Sequence, residues 1–158
     1  MMGLTHIIIG FLFNWPIYMI TRNSNLFLAS FLGSLFPDID SPHSLISSFL
    51  RFNVSKFLRH RGFTHTFFCL ICVTVLSLIT ANCFSISFQY VLCFSVGYFS
   101  HLIADSFTVS GVQLLSPFSR KIFSGPIKTG DTSEQILLVS CFFILFVLFF
   151  ILTKIFKI

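Results

Sequence analysis

Three short motifs in this chain carry residue types that can bind metal or move protons. The first holds His101 and Asp105, four residues apart in Ser100-His101-Leu102-Ile103-Ala104-Asp105. On a helix that spacing puts both side chains on one face, about 5–6 Å apart at Cβ. Such a pair suits two ligands of one ion, or a ligand and the carboxylate that orients it; the plain alternative is a hydrogen bond at a helix end. In the second, Pro37-Asp38-Ile39-Asp40, two carboxylates can converge on a cation from a loop. Asp40 or Ser41 also suits the cap of a following helix with Pro42 in its first turn, which makes Asp38 the stronger ligand candidate of the two. The third holds His60 and His65 around Gly62, a residue that permits a tight turn. Arg59 and Arg61 flank His60, so neutral, metal-bound imidazole is favoured there over imidazolium; the alternative is a solvated basic loop. His43, in the polar run Ser41-Pro42-His43-Ser44, reads as a surface residue.

With His6 and Glu134 added, the candidate ligands are His6, Asp38, Asp40, His60, His65, His101, Asp105 and Glu134. A catalytic zinc takes about three protein ligands. Eight candidates therefore imply two ions, or one ion with supporting groups and a general base, for which Asp40, Asp105 and Glu134 are the candidates. Nitrogen and oxygen donors without sulfur suit zinc, with manganese or iron as further options. Cys69 and Cys72 have the spacing of a thiolate pair, but their setting, Phe-Phe-Cys-Leu-Ile-Cys-Val, marks them as small core residues. Five cysteines, an odd number lying within or at the ends of apolar runs, suggest no disulfide framework.

The elements that must position these groups are apolar. Only 9% of the residues are charged and 55% are hydrophobic, where a soluble domain carries about 25% charge. The 24 phenylalanines point to an exterior that lipid tolerates and water does not. Five segments stand out: Leu4–Ile20, Leu26–Phe36, Phe67–Ala81, Ile86–Ala104 and Ile136–Leu152. The first, fourth and fifth reach the roughly 17–25 residues that cross a bilayer, and the third does so with its flanks. The second is short, and is either a tilted partner helix or a re-entrant segment. No basic region or cleavage motif marks a removable signal, so the first segment reads as a retained span. The expected fold is all-α: a polytopic transmembrane helical bundle of about five spans, or four if the second segment is re-entrant, forming one domain over residues 1–158.

With five spans, residues 37–66 and 105–135 lie on the side of the N-terminus. Those loops carry Arg51, Lys56, Arg59, Arg61, Arg120, Lys121 and Lys128; the other side has Arg22, Lys154 and Lys157. The bias places the N-terminus and the long loops in the cytoplasm. It also accounts for the net charge of +5 without nucleic-acid binding. All ten His, Asp and Glu residues then fall at one face. Loop length explains part of that gathering, but not His6, His101 and Asp105, which sit in or at the ends of apolar helices. Ionisable groups there are costly and signal function.

Taken in order, Pro37-Asp38-Ile39-Asp40-Ser41-Pro42, His60-Arg61-Gly62-Phe63-Thr64-His65-Thr66, Gly97-Tyr98-Phe99-Ser100-His101-Leu102-Ile103-Ala104-Asp105, Gly111-Val112-Gln113-Leu114-Leu115-Ser116-Pro117-Phe118 and Gly130 to Glu134 resemble the YdjM-like family of inner-membrane proteins. The likeness runs from near His6 to about Glu134. Ser41 stands where that family often has histidine, and Ser116 where it commonly has tryptophan. The resemblance implies a membrane-bound metal-dependent hydrolase and supplies no substrate. Arg59, Arg61 and Arg120 are candidates to grip an anionic lipid substrate, since arginine holds phosphate in two places. The competing expectations are a cation transporter or channel-like protein, which would place its ligands near the bilayer midplane, and a non-catalytic membrane factor with a structural metal.

Overall fold

The computed structural model describes residues 1–41 and 62–156. His43, Arg51, Lys56, Arg59, His60 and Arg61 fall outside the described residues, as does the helix that Asp40 or Ser41 was expected to cap. Within the described residues the regular structure is helical, and the loop before the last helix carries two isolated β-bridges. Helix α1 covers Gly3–Thr21, α2 Leu26–Leu35, α3 Phe67–Cys83, α4 Phe88–Ser106 and α5 Thr132–Phe156. A 3₁₀ turn, Phe36–Asp40, continues α2, and a shorter one, Phe63–His65, leads into α3.

Local chemistry explains the junctions. Arg22 takes a left-handed conformation (φ 55°) and its N–H bonds back to Tyr18, closing α1 so that α2 can turn back. Pro37 cannot donate to a helical ladder, and the chain tightens into the 3₁₀ turn there. Thr66 caps α3 by accepting from the Cys69 N–H at 3.1 Å.

Helix α4 is the centre, packed by α1, α2 and α3, while α5 rests on α1. Missing side chains make the α2–α4 contact close. A Cβ on Gly33 would lie 2.0 Å from the Phe94 carbonyl oxygen, and one on Gly97 2.4 Å from that of Ser30. Small residues are how helices approach closely in lipid, where no hydrophobic drive exists between them. Polar groups reinforce the α1–α2 seam: Asn14 donates to Ser30 Oγ at 2.7 Å, and Ser30 donates to the Gly10 carbonyl at 3.1 Å.

The apolar exterior lies where lipid would meet it. Phe142, Phe143, Phe146 and Phe149 are exposed on α5, and Ile71, Leu76 and Ile79 on α3. Two helices, α1 and residues 132–152 of α5, combine the length and hydropathy of a membrane span. The fourth segment, expected to qualify, has the length as α4, but it carries Gln89, Ser95, Ser100, His101 and Asp105 because so much of it faces protein. At ten residues, α2 extends about 15 Å, half the hydrocarbon thickness. Its 3₁₀ continuation nevertheless brings the chain back to the end where α1 starts.

Candidate metal centre

Four elements deliver the cluster. The first turn of α1 brings His6, the 3₁₀ turn after α2 brings Asp38 and Asp40, the turn before α3 brings His65, and the last turns of α4 bring His101 and Asp105. All are buried except Asp38, which retains 17% exposure and gives the cluster one carboxylate that solvent reaches.

His65 and His101 are each oriented through Nδ1. His101 Nδ1 lies 2.7 Å from the Ser34 carbonyl oxygen, which can only accept, so the ring proton is on Nδ1. Thr64 donates its hydroxyl proton to Asp40 Oδ2 at 2.7 Å, which leaves its oxygen to accept from His65 Nδ1 at 3.1 Å. Both rings therefore turn Nε2 inward, and these two atoms stand 3.3 Å apart. At that distance the two nitrogens share a cation, either a proton on His65 or a metal ion that displaces it.

The carboxylates complete the cage. Asp38 Oδ1 is 3.7 Å from each Nε2, and Asp105 Oδ2 is 3.5 Å from that of His65 and 3.6 Å from that of His101. Four donors on one tetrahedral zinc, each at about 2.0–2.2 Å, stand about 3.3–3.6 Å apart. These five separations lie in or within 0.1 Å of that range, so His65 and His101 together with either Asp105 or Asp38 have the spacing of donors to one divalent ion. A plain helix-end hydrogen bond for His101 and Asp105 leaves out that both also contact His65.

His6 adds a second observation. Its ring stacks on His101, with centroids 3.7 Å apart, and neither ring nitrogen has a hydrogen-bond partner although the side chain is buried. A buried imidazole without a hydrogen bond is costly, and a metal or the nearby Asp105 carboxylate offsets that cost. His6 Nε2 lies 3.3 Å from Asp105 Oδ1, which also accepts from the Met1 amino group at 2.9 Å. Asp105 thus presents one oxygen to the His65–His101 pair and the other to His6. Suitable ligand atoms of His6, Asp38 and His101 also lie within 4.8 Å of one another, as do those of His65, His101 and Asp105.

Electrostatics in the two turns favour a cation. Burial opposes a charge on His65, but the Asp105 and Asp38 carboxylates outweigh it and raise its pKa to about 9. Burial likewise opposes charge on Asp38, yet His65, with His101 and His6, lowers it to about 2. Positive charge at the histidines is what the carboxylates stabilise.

Other expected site residues fall elsewhere. Glu134 is buried, but Oε1 accepts from the Met2 N–H and Thr5 Oγ1, and Oε2 accepts from the Gly130 N–H. It ties the start of α5 to the start of α1. Asp40 touches His65 through Thr64 and lies 3.8 Å from Nδ1, the side away from the cage. Arg120 is exposed in the loop between α4 and α5. Three groups not singled out from sequence support the cage: the Ser34 carbonyl, Thr64, and Tyr98, whose buried hydroxyl donates to the Thr64 carbonyl at 2.6 Å. A backbone carbonyl leaves no trace in sequence, whereas Thr64 and Tyr98 lie inside motifs already marked.

The family model that describes the YdjM inner membrane protein matches residues 1–157. The Bacillus subtilis protein YvsG is 32% identical over 121 residues, covering 71% of this chain and 73% of that protein. The Escherichia coli inner membrane protein YdjM is 30% identical over 112 residues, covering 68% of this chain and 57% of YdjM. Its Shigella flexneri counterpart gives the same figures. The match thus spans little more than half the length of those YdjM proteins. No solved structure matches the chain.

Proposed function

The chain belongs to the YdjM inner membrane protein family, and from that membrane setting we propose a membrane-bound, metal-dependent hydrolase of lipid phosphoesters. The observation that carries the reading is the pair of inward Nε2 atoms, 3.3 Å apart and flanked by Asp38 and Asp105. His65, His101, Asp38 and Asp105 are assigned to one ion, zinc, with manganese or iron as options. His6 and the second oxygen of Asp105 face a position for another. An ion there would lower the pKa of water to near 7 and polarise a phosphoryl oxygen.

The chain's own groups do the rest. Asp40, through Thr64, fixes the His65 ring, and the Ser34 carbonyl fixes the His101 ring. Asp38, the cage carboxylate that solvent reaches, marks the side from which water and substrate would approach. Glu134, with both oxygens engaged by backbone and Thr5, holds α1 and α5 together instead of acting as a base. Arg120, with Arg59 and Arg61 by sequence, supplies cations that attract a phosphate headgroup.

The same reading has α1, α3, α4 and α5 crossing the membrane and α2 with its turn returning the chain. The N-terminus and the metal centre then lie on the cytoplasmic side, where the basic residues concentrate. Ligands drawn from helix ends support surface chemistry over transport, which favours binding near the midplane. The test is turnover of a phosphatidic acid or phospholipid by purified protein in liposomes. Activity removed by chelation and by His101→Ala, and restored to wild type by zinc or manganese, is the expected result. Metal-loaded protein that cleaves only water-soluble acyl esters or amides would overturn the lipid-phosphoester reading.

A further inference from the structure

The loop between α4 and α5 has a tip built like a membrane insert. Val112 and Phe123 exchange two backbone hydrogen bonds of 2.9 Å, which close residues 113–122 into a loop. Its base is anchored, because the Phe67 N–H donates to the Leu114 carbonyl at 2.9 Å and the Leu114 side chain is buried. Its tip is the reverse of what water selects: Phe118 is 84% exposed, Ile122 57% and Leu115 42%. Arg120 and Lys121 lie between those apolar side chains in sequence and are themselves exposed. No acidic residue occurs anywhere in 113–122.

We propose that residues 113–122 insert into the headgroup and upper acyl region of the chain's own bilayer, with Phe118 and Ile122 in the apolar layer and Arg120 and Lys121 on anionic headgroups. Two observations select lipid as the occupant. The apolar tip continues a lipid-facing surface: the Phe118 ring packs edge-on against Phe68 of α3, with centroids 6.2 Å apart, and Phe68 is itself exposed on the flank that carries Ile71. The cations give the rim the charge that complements an anionic leaflet, as in interfacial anchors that combine apolar side chains with Lys and Arg. Insertion there would hold the cluster end of α4 at headgroup depth, so that a lipid substrate reaches it laterally. The proposal rests on membrane residence alone and does not depend on the metal or on hydrolysis.

The test uses full-length protein in liposomes, with Trp15→Phe as background and Phe118→Trp as the reporter. Lys128→Trp, on the exposed stretch before α5, is the water-facing reference. Lipids brominated in the upper acyl chain should quench Phe118→Trp at least twofold more than Lys128→Trp, and aqueous iodide should show the opposite order. Replacing Arg120 and Lys121 by Glu should move the reporter toward iodide in anionic vesicles, while helix content by circular dichroism stays unchanged. Equal iodide quenching of the two reporters would overturn the proposal. So would protection of Phe118→Trp from both quenchers, which would mean that protein, not lipid, covers the tip.

Discussion

Gly97→Ala tests whether the close packing of α2 on α4 sets the geometry of the metal centre. The added Cβ would lie 2.4 Å from the Ser30 carbonyl oxygen, where real Cβ contacts stay above 3.0 Å. Backbone blocks it, so no rotamer change relieves the clash, and the helices must part by about 0.6 Å. Helix α2 leads directly into Asp38, and α4 carries His101. Parting them would stretch their 3.7 Å separation by up to the same amount, against a tolerance of about 0.2 Å in metal–ligand distance. Overpacking of this kind costs about 1–3 kcal/mol, and displaced supporting groups cost about 10–100-fold in metal affinity. Gly33→Ala, at 2.0 Å from the Phe94 carbonyl oxygen, should be worse, and Gly10→Ala, at 2.9 Å from the Ser34 Cβ, milder. Zinc competition against a chromophoric chelator, with thermal unfolding in detergent, reads both effects. Gly97→Ala protein with wild-type zinc affinity and melting temperature would show that the helix spacing does not govern the site.

Asp40→Asn should weaken zinc binding by about 10–100-fold without abolishing it, because Asp40 orients His65 through Thr64 instead of donating to the ion; the same competition titration decides. Glu134→Ala should lower stability by about 1–3 kcal/mol, since it strips the partner from the Met2 and Gly130 N–H groups, yet leave metal content near wild type. Loss of metal at full stability would instead make Glu134 a ligand. Zinc affinity should rise with pH up to about 9 and then level off: His65 in the metal-free cluster keeps its proton below that value, and the proton must leave before Nε2 can bind. The slope below it should approach about tenfold per pH unit for one displaced proton, and a flat profile from pH 6 to 9 would remove His65 from the ligand set.

Much of the fold was legible because lipid imposes a simple rule. The apolar segments beginning at Leu26 and Phe67 match α2 and α3 at their first residues, since Pro37, Asn25 and Thr66 punctuate them unmistakably. The i, i+4 spacing of His101 and Asp105 correctly put both on one face of α4. The fourth segment reads as a span by length, but α4 lacks the hydropathy of one because its polar residues face protein. For Glu134, acidity alone does not tell in sequence whether the partner is an ion or the Met2 and Gly130 N–H groups that its carboxylate meets in the fold. The Ser34 carbonyl that fixes His101 could not be read at all, because it depends on Gly33 and Gly97 letting two backbones touch.

The most direct measurement is the metal content of purified protein by inductively coupled plasma mass spectrometry, for wild type, His65→Ala, His101→Ala and Lys128→Ala. A centre formed by His65, His101, Asp38 and Asp105 predicts one or two equivalents of a divalent transition metal in wild type and Lys128→Ala, and a loss of at least one equivalent in both histidine variants. Equal metal content in all four, or none in any of them after zinc supplementation, would contradict it.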